Sequence, residues 1–402
     1  MLAGPAWLID LSRSVSRLAR GPLTGIDRVE LAYLRYLLGR PEPLFGLVRT
    51  ALGFVLLDRP GVQGILDRAA QIVPLGRADM LGLLTHRHLP QRIRAEADAR
   101  RLSLARCLPP GLDRMLRARL PPGSTYINVG HANLSPQVMA AVKTLPGAKI
   151  VVMVHDTIPL DHPQFCRADV AAAFATKLAV VAAHADEVLH TAHCTRAQTD
   201  MHFAKFGRVP AGLIAPLGVE LATPDAQALG GVSRPYFVAL GTIEPRKNTA
   251  LLVDVWRILQ SQPEPPPHLY IAGHRGWDNP AVFDDLAALT KAGHVTVLDR
   301  LSDGAVADLL LGTEALLFPS LAEGFGLPPL EAAALGIPVF AGPLPVLAET
   351  LGDYPVYLDT SDSYAWVAAI NLRMTQQGQT AGRQIRVPPN WADHFMRVFA
   401  SA

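Results

Sequence analysis

The stretch "ALLFPSLAEGFGLPPLEAAALGIPVF", residues 315–340, reads as strand, turn, helix and second strand. "ALLFP" (315–319) is apolar and of strand length, "PVF" (338–340) resumes that pattern, and residues 329–335 between them are helix-forming. Two strands joined through a helix form parallel sheet. Within the unit, Glu323 and Glu331 flank a Gly-Phe-Gly turn and two prolines. Gly324 and Gly326 lack Cβ atoms and let backbone approach a ligand, and Pro328 or Pro329 can begin a helix without losing a needed N–H.

The same alternation extends outward. In the second half "YFVAL" (236–240), "HLYIAG" (268–273) and "HVTVL" (294–298) read as strands, separated by helical patterns at 247–260, 281–292 and 303–312. In the first half "AWLIDLS" near the N-terminus, "TYINV" (125–129), "KIVVMVH" (149–155), "EVLHT" (187–191) and "LIAP" (213–216) are the strand candidates. Residues 60–120 are irregular and Arg-rich, and the expectation there is helix. "PLGVELATPDAQALGGVSRP" has turn-forming composition without periodicity, which places a linker and a boundary near residue 217. The expected fold class is α/β, with two doubly wound parallel sheets whose strand ends face a crevice where such folds bind ligands.

Composition bounds the partners. At 402 residues and 50% hydrophobic, the chain suits two domains. A net charge of +2 offers no field for nucleic acid. Cys107, Cys166 and Cys194 are odd in number and form no C-x-x-C pair, which fits reduced thiols and a cytoplasmic location. No run of eighteen apolar residues predicts a membrane span, so any membrane contact would be peripheral. Nine arginines face three acids, Glu96, Asp98 and Asp113, between residues 86 and 120. Such a segment reads equally as a solvated basic face or as one lying on an anionic membrane at the inner face of the bilayer.

"ALGTIEPRKN" (239–248) leaves a strand, turns on Gly241 and carries Arg246 and Lys247 at the expected start of the next helix. Cations at a helix N-terminus are disfavoured unless an anion joins them, so this pair points to a diphosphate. Glu323 would then face whatever the phosphate carries. Glu331, in the first turn of its helix, could accept two hydrogen bonds from ribose hydroxyls, and the backbone of Gly324, Phe325, Gly326 and Leu327 would face a sugar or phosphate oxygen. The plainer alternative makes Glu331 a partner of the helix dipole and Glu323 a loop carboxylate.

"SLAEGFGLPPLEAAALGIPVFA", "GTIEPRKN", "HDTIPL" and "APLGVE", in this order, resemble the retaining GT-B glycosyltransferases of family four, especially bacterial mannosyltransferases of polysaccharide and O-antigen assembly. The Glu-x7-Glu motif carries most of that resemblance, which covers about residues 124–360. It implies two Rossmann-like domains, an acceptor-side domain over 1–216 and a nucleotide-sugar domain over 217–387. "PNWADHFMRVF" resembles the closing helix (388–402) that packs back on the first domain.

The resemblance also implies roles. Arg246 and Lys247 would neutralise the donor diphosphate in place of a metal, and no D-x-D pattern is present. His155 would hydrogen-bond the transferred sugar, with Asp156 beside it near the acceptor, and Gly25 in "LTGIDRVE" would let the first helix approach the diphosphate or acceptor. The implied reaction moves a sugar, by this reading mannose from GDP-mannose, to a glycan or lipid-linked oligosaccharide. It proceeds with retention, without metal or other cofactor, by a front-face mechanism in which Glu323 orients the sugar. Where relatives read like "TVSEFSR", this chain has "HTAHCTR" (190–196), so acceptor contacts at Ala192 and His193 do not carry over. A sugar phosphorylase, a nucleotide-sugar epimerase or a catalytically silent scaffold would share the architecture. A dehydrogenase would need a G-x-G-x-x-G turn after an early strand, and "GFGLPP" fails at its last position and lies too late.

Overall fold

The computed structural model describes residues 5–18, 24–85, 90–227, 229, 231–277, 279–376 and 385–400. Two sheets organise them. The first contains β1 (Trp7–Asp10), β2 (Leu44–Thr50), β3 (Gly53–Leu57), β4 (Ser103–Cys107), β5 (Thr125–Asn128), β6 (Lys149–Val154), β7 (Glu187–His190) and β8 (Ala211–Ile214), ordered β4-β3-β2-β1-β5-β6-β7-β8. The second contains β9 (Tyr236–Leu240), β10 (His268–Ala272), β11 (Val295–Leu298), β12 (Leu316–Phe318), β13 (Val339–Ala341) and β14 (Val356–Tyr357), ordered β11-β10-β9-β12-β13-β14.

All pairings in the second sheet are parallel, and its inner strands are buried along nearly their full length. Helices on both faces leave no wet side, which is why "YFVAL" and "ALLFP" read as continuous apolar runs. Trp256 and Trp366 from covering helices are fully buried there. In the first sheet β5 to β8 run parallel beside β1, but β2-β3-β4 is an antiparallel edge.

That edge corrects the helical expectation for 60–120. Helices Arg59–Ala69, Met80–Thr85, Pro90–Arg101 and Leu112–Arg119 do fall in this segment, but β4 interrupts them. "SLARC" pairs with β3, whereas its own composition carries no strand signal. Arg87 and its neighbours 86–89 lie outside the described residues. Much of the remaining arginine charge is spent internally: Arg68 and Arg101 hold Asp98, Arg100 holds Asp79, Arg92 holds Glu96 and Arg117 holds Asp113. β8 also begins two residues before "LIAP".

After β8 the chain crosses to β9, and helix Trp391–Phe399 lies against the first sheet's helix Gly25–Leu38; residues 401 and 402 of the expected closing helix lie outside the described set. Phe395 stacks on Tyr36 with centroids 4.0 Å apart, and Tyr33 Oη is 2.8 Å from His394 Nε2. Burying an aromatic such as Phe395 contributes roughly 1.5–3 kcal/mol, enough to fix this helix there.

The two lobes also touch across the crevice. The hydroxyls of Thr191 and Thr195 donate to Gly324 O at 3.1 and 3.2 Å. Glu349 of the second lobe accepts from the backbone N–H of His193 and Cys194 at 2.6 and 3.0 Å, capping helix His193–Lys205 of the first. "HTAHCTR" therefore sits at a lobe-to-lobe contact.

Candidate functional site

The strand ends of the two lobes converge on the turns at 241–248 and 320–327. After β9 the chain turns at Gly241 (φ +134), a conformation open to glycine, and a Cβ there would meet Lys247 Cε at 3.1 Å. Arg246 and Lys247 do not start the α-helix as expected. They lie in a 3-10 turn, Pro245–Lys247, and left-handed Asn248 (φ 53) separates them from helix Thr249–Gln260. The turn is tied to the opposite loop, because Leu321 N donates to Arg246 O (2.9 Å) and Arg246 Nη1 donates to Ala322 O (2.7 Å).

Glu323 stands between the two cations. Its Oε2 is 2.9 Å from Arg246 Nη1 and its Oε1 is 2.5 Å from Lys247 Nζ, and its side chain is only 10% exposed. Burial alone would raise the Glu323 carboxyl, but Lys247 and Arg246 outweigh it and hold the group below its ordinary value. Arg246 also bonds Glu244 at 2.9 Å, whereas Lys247 rests over the Phe318 ring at 4.8 Å.

The Gly-Phe-Gly turn explains its composition. A Cβ on Gly324 would fall 2.7 Å from His155 O and 3.0 Å from Asp156 Cβ, so the loop can lie against the first lobe only with glycine there. Gly326 is left-handed (φ +87) and caps helix Leu327–Ala334, whose second and third residues are Pro328 and Pro329. Phe325 is buried in the core beneath, and Leu327 faces Gly25, whose Cβ would stand 3.5 Å from Leu327 Cδ1. Glu331 is the fifth residue of this helix, one turn deeper than expected. There Arg28 Nη1 donates to Glu331 Oε1 at 2.8 Å, and burial outweighs that arginine and raises the Glu331 carboxyl.

From the first lobe, His155 directly follows β6. Its Nε2 is 2.6 Å from Val129 O, an acceptor only, so Nε2 carries the hydrogen and Nδ1 keeps a lone pair. Burial lowers His155 to about 4, which keeps the ring neutral near pH 7. Asp156 is raised by burial, partly countered by Arg246, and accepts from Ile158 N at 3.1 Å.

Thus His155, Asp156, Gly324, Glu323, Arg246 and Lys247 gather at one end of the crevice, and Gly25, Leu327 and Glu331 lie toward the other. Sequence reasoning missed Arg28 and Arg13. Arg13 bonds Asp27 at 3.0 Å and Thr24 Oγ1 at 3.1 Å, and its charge helps to lower His155. Arg28 is in the quoted "LTGIDRVE", but its partners lie about 300 positions away. It also missed His131, left-handed at φ 56, whose Nε2 is 2.9 Å from Met153 O and whose ring lies 5.0 Å from that of His155.

Chemically, the two-cation turn is suited to a diphosphate, a neutral histidine lone pair can accept from a hydroxyl, and a buried carboxylate can accept from a diol. Among the described residues no cluster of His, Cys, Asp and Glu could hold a metal ion.

Comparisons with known proteins fit this geometry. Residues 226–385 match the family Glycosyl transferases group 1. O-antigen chain mannosyltransferase B of Escherichia coli is 31% identical over 144 residues, 36% of this chain and 37% of that protein. Serotype-specific mannosyltransferase WbdA of Escherichia coli is 28% identical over 262 residues, 58% of this chain and 30% of that one. The matches therefore span 37% and 30% of those relatives' own lengths. Among solved structures, sucrose-phosphate synthase from Thermosynechococcus elongatus superposes with a TM-score of 0.63 at 15% identity, covering 99% of this chain and all of that one. Anabaena HepE in complex with UDP gives 0.62 at 14% identity, covering 98% and 95%. At such identities the likeness concerns the fold, which is the GT-B arrangement of two facing α/β lobes.

Proposed function

We propose that this chain, which carries a glycosyl transferases group 1 domain, is a glycosyltransferase that moves a hexose, mannose from GDP-mannose, onto a glycan or lipid-linked oligosaccharide. The observation that carries the proposal is the Glu323 carboxylate held between Arg246 and Lys247, across from His155 and Asp156. The mannosyltransferase names of the relatives support the sugar, and the complex of HepE with UDP-glucose supports a nucleotide-linked donor.

The donor diphosphate takes Arg246 and Lys247 as counter-ions, and their charge stabilises the departing nucleotide diphosphate without a metal. In the front-face reaction the anomeric C–O bond to phosphate breaks. The acceptor oxygen bonds to that carbon from the same face, and its proton passes to the leaving phosphate oxygen. Retention follows and no protein nucleophile is needed. His155 Nδ1 accepts from a hydroxyl of the sugar, Glu323 aligns that sugar, Asp156 faces the acceptor, and Glu331 binds the ribose diol. Closure of the two lobes excludes water.

For a lipid-linked acceptor, the surface around Ile72, Met80 and Leu83, which are 73%, 80% and 54% exposed beside Arg77, is the part of the first lobe suited to an anionic bilayer. No described helix is long and apolar enough to cross a membrane. Product analysis with GDP-mannose, with and without a mannose-bearing acceptor, tests the assignment. Release of GDP coupled to acceptor glycosylation supports it. Turnover that requires inorganic phosphate, or epimerised donor as product, overturns it.

A further inference from the structure

Arg28 is the fourth residue of helix Gly25–Leu38 in the first lobe, and it reaches across the crevice to the second. Nη1 lies 2.8 Å from Glu331 Oε1 and Nη2 lies 2.7 Å from Asp303 Oδ1, so one guanidinium spans two carboxylates carried by two different helices. A cation near a helix N-terminus is opposed by the helix dipole, and the placement is stable because those anions meet it from the other side. Glu331 is 13% exposed at its side chain, and Arg28 is its one ion-pair partner among the described residues. The cavity at this junction, lined by Arg28, Glu220, Asp303, Leu327, Glu331 and Trp391, measures about 210 Å³. Pockets for drug-sized ligands typically measure about 300–1,000 Å³, and this one, with Arg28 in its wall beside Glu331, falls below that range.

We infer that Arg28 is a resident competitor for the nucleoside end of the donor site: it holds the lobes together in the empty protein and must release Glu331 when the donor binds. The inference rests on the nucleotide-sugar reading above and concerns how that site is regulated. A ribose hydroxyl and the Arg28 Nη1 group present the same kind of group to Glu331, a hydrogen-bond donor, so the two exchange on one carboxylate. Affinity for the donor is then set by a difference, the diol–Glu331 contact minus the Arg28 contacts it replaces. The same exchange removes one of the contacts between the lobes, beside those that Thr191, Thr195 and Glu349 make, and so links the lobe arrangement to occupancy of the nucleoside end.

The test is calorimetric titration of GDP and UDP into the intact parent, Arg28→Gln and Arg28→Lys, each checked for folding by circular dichroism. Glutamine removes the charge and should tighten binding of the better nucleotide about 5–10-fold. Lysine, a single ammonium that cannot span both carboxylates, should tighten it about 2–3-fold and decides the question if the glutamine variant does not fold. Unchanged or weaker binding in the folded variants overturns the inference and leaves the transferase reading standing. A parent that binds neither nucleotide overturns the reading on which the inference rests. Small-angle scattering supplies the second readout: the glutamine variant should be more expanded than the parent without nucleotide, and identical profiles would refute the cross-lobe role.

Discussion

Replacing Glu323 by glutamine isolates the feature on which the donor site depends. In the empty protein this carboxylate neutralises two largely covered cations, at 2.9 Å from Arg246 and 2.5 Å from Lys247, whose side chains are 20% and 14% exposed. Arg246 keeps Glu244 in the variant, but Lys247 loses its ion-pair partner among the described residues and keeps the Phe318 ring beneath it. Removing one partner of a buried pair costs about 3–5 kcal/mol, and the retained Glu244 contact places this case near 3. For a lobe of this size that lowers the melting temperature by about 6–12 °C. A nucleotide diphosphate supplies the missing anion, so its addition should recover most of the loss, and the ligand-induced shift should exceed the parent's. The transfer rate should still fall, because in the proposed mechanism Glu323 aligns the sugar. Differential scanning fluorimetry with and without GDP reads both shifts. A variant with the parent's melting temperature and the parent's response to GDP would refute Glu323 as the resident counter-ion.

Lys247→Ala and Arg246→Ala should each weaken nucleotide diphosphate binding by about 1.5–3 kcal/mol while leaving the bare nucleoside nearly unchanged; equal losses for both ligands in a titration would count against the diphosphate assignment. On the proposal that the two cations take a metal's place, turnover should survive EDTA, and abolition restored by Mg²⁺ or Mn²⁺ would contradict the proposed site. Glu30 is fully buried, and burial pushes its carboxyl up to about 8 from an ordinary value of 4.5. The folded protein therefore holds a proton between those pH values that the unfolded chain has lost, and stability falls as pH rises through that window, by at most about 5 kcal/mol. Glu30→Gln does not titrate, so its melting temperature relative to the parent should rise from pH 5 to pH 8.5; a difference constant with pH would refute the assignment.

The second lobe was legible because parallel strands buried on both faces must be apolar along their buried length, and "YFVAL" and, after His268, "LYIAG" are. Glu323, Gly324 and Gly326 were legible because a turn pressed against another lobe leaves glycines as its trace. The antiparallel edge was not, since β4 takes its conformation from pairing with β3 and places Arg106 outward like any solvated residue. Nor was the 3-10 turn, because Asn248 in a left-handed conformation looks locally like an ordinary helix cap. Arg28, Glu349 and Thr191 act through partners in the other lobe, and no local periodicity records a contact between residues more than a hundred positions apart.

The proposed reaction transfers a sugar from a nucleotide diphosphate, with the cation turn holding the leaving group. Its most direct test is a donor panel of GDP-mannose, UDP-glucose and UDP-N-acetylglucosamine with a mannose-bearing acceptor, followed by nuclear magnetic resonance of the product's anomeric centre. Turnover is expected with GDP-mannose, with an α-linked product from the α-linked donor and loss of that turnover in Lys247→Ala. A β-linked product, or a Lys247→Ala variant as active as the parent, would contradict it.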